Sequence, residues 1–131
     1  MATRTLPWNA VQTWILTIIA ILFFLLGLRT FFLPMNAPAT FGIPVQSPES
    51  LAYISAYGAR NIGLSLVGLG LIWFDARRPL ALVFAAAAII AALDCWIVSA
   101  NMGFAVGARH LAYVAVTMGM AALSWRMPAR P

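Results

Sequence analysis

The chain has 131 residues, of which 63% are hydrophobic and 8% are charged. Soluble domains carry about 25% charged residues, so the main solvent of this chain is lipid. The net charge of +5 is scattered, with no basic run longer than the pair Arg77 and Arg78. The composition excludes an ordinary soluble domain and predicts that the chain contacts membrane lipid. The scattered charge predicts that it does not bind nucleic acid.

Four apolar segments follow one another along the chain, at about residues 9–33, 48–74, 80–101 and 108–126. Each is close to or above the roughly 20 residues that a helix needs to cross about 30 Å of hydrocarbon. The strict alternation of a membrane β-barrel strand is missing. The sequence therefore predicts an all-α fold, a four-helix transmembrane bundle that forms a single membrane domain over residues 1–131.

The arginines indicate the orientation, because positive charge in short loops stays on the cytoplasmic side. The connection 34–50 has Glu49 as its only charge, as expected outside the cell. The first segment is longer than the roughly 7–15 residues of a signal-peptide core, so we expect a retained anchor. We predict a multi-pass protein of the cell membrane with both termini cytoplasmic, from the arginines that flank the spans: Arg4, Arg77, Arg78, Arg126 and Arg130.

The connections and small residues predict how the helices meet. Residues 34–50 hold half of the prolines, which favours an extended or turning segment over a helix. Ser47, Pro48 and Glu49 form a typical helix start. Small residues allow close helix packing in lipid, which predicts a tight cytoplasmic half from Gly63, Gly68, Gly70, Ala85, Ala88, Ala115 and Gly119.

Polar residues cluster in the outer half of three spans. By helical rise, Arg60 lies about 14 Å and Asp94 about 10 Å from the outer ends of their segments. A charge at such depth is costly, so an ion pair between the two is expected, at the floor of an outward-facing polar pocket. Helical spacing adds further candidate ligand-binding residues, Arg29, Tyr53, Tyr57, Asn61, Asn101 and Tyr113, with Thr117 on the same helical stripe as His110 and Tyr113.

Each of these residues also has a purely structural interpretation. Arg60 with Asp94 can fix helix register without binding anything. Arg29 is close enough to the interface to act as a snorkelling anchor. The tyrosines suit an aromatic belt at the membrane surface, and Cys95 suits a small apolar filler. Both interpretations remain open from the sequence.

The chemistry is narrowed by what the sequence lacks. One histidine and one cysteine exclude paired haem ligands, a disulfide within the chain and a cysteine zinc cluster, so no metal and no cofactor are predicted. His110 and Asp94 remain as candidate catalytic residues, because histidine and carboxylate side chains are common general acids and bases.

The order of short motifs resembles a known family. It runs from Arg29 and Pro34 through ATFGIP at 39–44, GARNIGL at 58–64 and Asp94 to His110. This order is similar to that of small four-helix membrane proteins grouped under a domain of unknown function in bacteria and fungi, distantly like DoxX proteins. The resemblance implies the fold and points to Arg60, Asp94 and His110. The family often has aspartate after the arginine, where this chain has Asn61.

Three functions are compatible with these features. The first is a membrane pocket that binds a small amphipathic or lipid-like molecule, with acid–base chemistry of an isomerase, cyclase or hydratase at Asp94 and His110. The second is a non-catalytic accessory subunit of a larger membrane complex. The third is a proton-coupled carrier, which four short spans can form only as a homo-oligomer; no internal repeat supports it.

Overall fold

The computed structural model describes residues 11–45 and 47–126. It contains four long helices, α1 (Val11–Phe32), α3 (Pro48–Trp73), α4 (Arg77–Met102) and α6 (His110–Arg126). Two short helices lie in the connections, α2 (Ala37–Phe41) after a 3₁₀ turn at Pro34–Asn36, and α5 (Phe104–Gly107). No strand occurs in the described part of the chain. The predicted all-α four-helix bundle is confirmed.

Three helical segments are both long and apolar enough to cross a membrane: Val11–Phe32, Arg77–Met102 and Phe104–Arg126. Helix α3 has 26 residues, which is also sufficient in length. Its polar residues include Tyr53, Tyr57, Arg60 and Asn61. The set of apolar helices is therefore compatible with a multi-pass membrane protein.

The start of α3 is as predicted, whereas the connection before it is not. Ser47 caps the helix, because its hydroxyl accepts a hydrogen bond from the backbone N–H of Ser50 at 3.4 Å. The 34–50 connection was expected to contain no helix, yet it forms the 3₁₀ turn and α2. Proline is tolerated in the first turn of a helix. The 3₁₀ turn has a proline at its first position, Pro34, and α2 has one at its second position, Pro38.

The four long helices associate as two pairs. Helix α1 packs along α3, and α4 packs along α6, while direct contact between the pairs is much smaller and lies mainly between α3 and α4. One end of the bundle is solid, with a cluster of buried residues from all four helices that we call the closed end: Leu16, Ala20, Ile72, Leu80, Phe84, Met120 and Ala121. The expected tight half of the bundle is present there.

Close helix approach occurs at other glycines than those predicted. A β-carbon added at Gly58 would lie 2.5 Å from the backbone nitrogen of Phe31, and one at Gly27 would lie 2.9 Å from that of Ile62. A β-carbon at Gly107 would clash with Ser99. At Gly63, Gly68, Gly70 and Gly119 it would meet nothing within 4 Å, so their predicted role in packing is wrong.

The turn between α3 and α4 lies at the closed end. Asp75 adopts a left-handed backbone with φ of 52°, and its carboxylate accepts a hydrogen bond from the Arg77 Nε at 2.6 Å. The Arg78 guanidinium carbon lies 5.9 Å from the centre of the Trp125 ring on α6. Arg4 and Arg130, which contributed to the orientation argument, lie outside the described residues, and the orientation stays a prediction.

Candidate functional site

A cavity of about 590 Å³ separates the two helix pairs beyond the closed end. Residues from α1, α2, α3, α4 and α6 line it. Ala20 and Phe84 belong both to the closed-end cluster and to the cavity wall, so they mark the floor. The floor was expected to be an Arg60–Asp94 ion pair, and it is instead apolar.

The part of the cavity next to the floor is lined mainly by apolar residues, with the hydroxyls of Ser65 and Thr117 among them. Gly68 on α3 is buried there, and a β-carbon at this position would meet no atom within 4 Å. The wall of the cavity therefore has open space in front of Gly68. Its apolar neighbours along the wall are Leu64, Val83, Ala87, Ile90 and Ala91.

Polar side chains line the cavity farther from the floor. Asp94 on α4 is half-buried and lines the cavity together with His110 of α6. Among the described side chains, none forms a hydrogen bond or a salt bridge with the Asp94 carboxylate. Asn61 and Tyr57 on α3 and Tyr113 on α6 line the same region. The site thus contains a carboxylate whose hydrogen-bonding capacity is available to a ligand.

His110 is 5% exposed and is the first residue of α6. Its Nε2 lies 3.1 Å from the backbone carbonyl oxygen of Phe41. A carbonyl oxygen only accepts hydrogen bonds, so Nε2 carries the hydrogen. In the neutral imidazole Nδ1 is then an acceptor. The contact fixes the ring orientation and leaves one basic nitrogen without a bond to Phe41.

Phe41, which the sequence analysis did not select, connects the loop to both helix pairs. Its ring lies 5.7 Å from that of Tyr57 and 5.1 Å from that of His110, edge to face in both contacts. Gly42 follows with φ of 101°, and a β-carbon there would lie 2.8 Å from Val106. The ATFGIP motif carries this information, because an aromatic residue beside a left-handed glycine is a typical fixed turn.

The predicted ion pair between Arg60 and Asp94 is not formed among the described residues. Arg60 is exposed, and its guanidinium carbon lies 4.8 Å from the centre of the Tyr57 ring. Consecutive helical residues point about 100° apart, and Asn61 takes the position that faces the cavity. Arg60 therefore lies outside the cavity.

Asn101 does not line the cavity either. It is exposed near the end of α4, and its amide nitrogen donates to the backbone oxygen of Ile97 at 2.8 Å. Arg29 and Tyr53 do line the cavity and are exposed, Tyr53 by 79%, which places both at the rim. The structure brings together the following predicted site residues: Arg29, Tyr53, Tyr57, Asn61, Asp94, His110 and Tyr113.

Within the described residues, no group of three or more histidine, cysteine, aspartate or glutamate side chains is arranged to hold a metal ion. Cys95 is buried as a free thiol.

The family model DUF4267, described as a domain of unknown function, matches residues 20–124. This range includes every residue that lines the cavity. No curated protein and no solved structure matches the chain.

Proposed function

The chain belongs to the DUF4267 family, and from its site we propose that it binds a small amphipathic or lipid-like molecule in the cavity between the two helix pairs. The observation that carries the proposal is the gradient of polarity along one cavity. Hydrocarbon lines the floor, and the predicted polar residues line the region beyond it. An amphipathic molecule matches this gradient along its length.

The dimensions of the cavity support a ligand site. Ligand pockets typically measure about 300–1,000 Å³, are largely apolar and contain a few placed polar groups. The cavity, at about 590 Å³, is within this range. A void of this size inside a bundle forfeits many packing contacts, which a hydrocarbon chain would supply. Its lining by four helices and α2 would enclose most of a small ligand.

Acid–base chemistry at Asp94 and His110 is the catalytic form of this proposal. Both side chains line the same cavity. The contact of Nε2 with Phe41 leaves Nδ1 of His110 as a base, while Asp94 is available as an acid or base partner. An isomerase, cyclase or hydratase needs such a pair beside an apolar substrate.

The carrier alternative is less well supported than binding. Transport needs access from both sides of the membrane, and the closed end is filled by buried residues such as Leu16, Ile72 and Leu80. The accessory-subunit alternative would need a partner surface, and no feature of the described residues selects one over ordinary lipid contact. We propose the cell membrane as location, with both termini cytoplasmic, from the arginine distribution.

A cavity-filling substitution tests the proposal. Gly68→Phe would project a ring into the open space of the cavity, and Gly63→Phe on the same helix is the matched control, because Gly63 is exposed and does not line the cavity. Each purified protein, in the same phosphatidylcholine nanodisc, is analysed by mass spectrometry for retained small molecules.

We expect the wild type and Gly63→Phe to retain the same amphipathic molecule. Gly68→Phe should retain at least tenfold less of it. Equal retention by all three proteins would contradict binding in the cavity, because lipid-facing adsorption does not depend on Gly68. If the retained molecule is converted by the wild type and by Gly63→Phe but not by Asp94→Asn, the catalytic form is supported; its unchanged conversion by Asp94→Asn would refute it.

A further inference from the structure

The polar groups inside the cavity are unequal in their hydrogen-bonding character. The Asp94 carboxylate accepts hydrogen bonds only, when ionised. The Nε2 atom of His110 directs its hydrogen at the Phe41 carbonyl, so Nδ1 is the ring nitrogen left for a ligand; Nδ1 accepts in the neutral imidazole and donates in the imidazolium. Asp94 on α4 therefore provides the acceptor inside the cavity. A ligand group that binds its ionised carboxylate must donate.

The positive charges near the cavity lie at its rim or outside it, unlike the Asp94 carboxylate. Arg29, the arginine that lines the cavity, is exposed and lies near the end of α1, which stops at Phe32. Arg60 lies outside, over the Tyr57 ring. No described cation forms a salt bridge with Asp94. An anionic head group would thus meet its cation at the rim, while the interior presents a negative charge.

From this distribution we infer that the cavity takes a single-chain amphiphile with a hydrogen-bond-donating head group, a protonated amine or a hydroxyl, held by Asp94 and His110. The inference rests on the proposed function and adds the chemical class of its ligand. A protonated amine would also neutralise Asp94. An ionised carboxylate in a bundle interior is costly without a partner, so the amine is the tighter ligand of the two.

The chain length follows from the helix geometry. Asp94 and Val83 both line the cavity on α4, and eleven residues of helix rise about 16 Å. An extended hydrocarbon chain advances about 1.25 Å for each bond of about 1.5 Å, so roughly twelve carbons reach from Asp94 to the floor. The open space at Gly68 lies along this path.

The experiment compares dodecylamine, dodecanol and dodecanoic acid as radiolabelled probes. Each is equilibrated with the protein in phosphatidylcholine nanodiscs, and its partition into empty nanodiscs is subtracted. With the wild type we expect the amine to bind at least tenfold more tightly than the acid, with the alcohol between them. Asp94→Asn should weaken amine binding at least tenfold and change alcohol binding less than threefold.

Two outcomes separate the head-group inference from the proposed function. If the acid binds as tightly as the amine, the head-group assignment is wrong and the cavity still binds an amphiphile. If none of the probes binds the wild type more tightly than Gly68→Phe, the binding function itself fails. The order of the probes on the wild type decides the inference even where Asp94→Asn does not fold.

Discussion

The closed end and the cavity half of the bundle are built from the same four helices but are packed differently. At the closed end, residues of all four helices meet, and Leu16, Leu80 and Met120 are each at most 3% exposed. In the cavity half, close approach occurs at Gly58, where α1 meets α3, and at Gly107 of the short helix α5, which meets α4, while direct contact between the two pairs is small.

This difference shows how a small bundle can keep a cavity and remain folded. The free energy of packing comes from the closed end and from the two glycine contacts, where backbones approach closely. Between the pairs, the cavity half has ring contacts such as that of Phe23 with Tyr113, whose ring centres are 6.2 Å apart. Aromatic residues such as Phe41, Tyr57 and Tyr113 line the gap without filling it.

The largest expected effect compares two leucines. Leu80→Ala should lower the free energy of unfolding by about 3 kcal/mol, because Leu80 is 2% exposed in the closed end and the void left would stay empty. Leu64→Ala, on the cavity wall, should cost about 1 kcal/mol, because its side chain already borders empty space. Unfolding in mixed micelles with increasing SDS, followed by circular dichroism, measures both. Equal costs would contradict the division into two halves.

The second comparison uses two glycines of α3. Gly58→Ala should destabilise the protein by about 2 kcal/mol, because its β-carbon would lie 2.5 Å from the Phe31 nitrogen and force α1 away from α3. Gly63→Ala should be neutral or slightly stabilising, because nothing lies within 4 Å and alanine favours a helix. The same unfolding titration applies. A neutral Gly58→Ala would show that the pair is not held together at this crossing.

The smallest expected effect is the energetic coupling between Arg60 and Asp94 in the cavity half. Arg60→Ala and Asp94→Asn should change the free energy of unfolding almost additively, with a coupling below about 0.5 kcal/mol, because Arg60 lies over the Tyr57 ring and forms no salt bridge with Asp94 among the described residues. A double-mutant cycle in the same micelles gives this number. A coupling well above about 1 kcal/mol would indicate an ion pair after all.

Several features of the site could be predicted because they depend on helical spacing alone. Asp94, His110, Tyr57 and Asn61 were placed in one half of the membrane from their positions along their helices, and the structure brings them to one cavity. Rotation about a helix axis is harder to predict. Arg60 and Asn61 are adjacent, and only the packing of α3 on α1 decides which of them faces inward.

The sequence by itself determined that the chain is an all-α membrane bundle, because long apolar segments without the alternation of barrel strands can satisfy their backbone hydrogen bonds in lipid only as helices. It also determined that polar groups gather in one half, because their distance from the helix ends is fixed by the rise per residue. The tertiary structure alone decided which glycines bring helices together, that Arg60 lies over Tyr57, and that Phe41 contacts His110. These contacts join residues far apart in the chain, and their partners depend on how the helices pair and rotate.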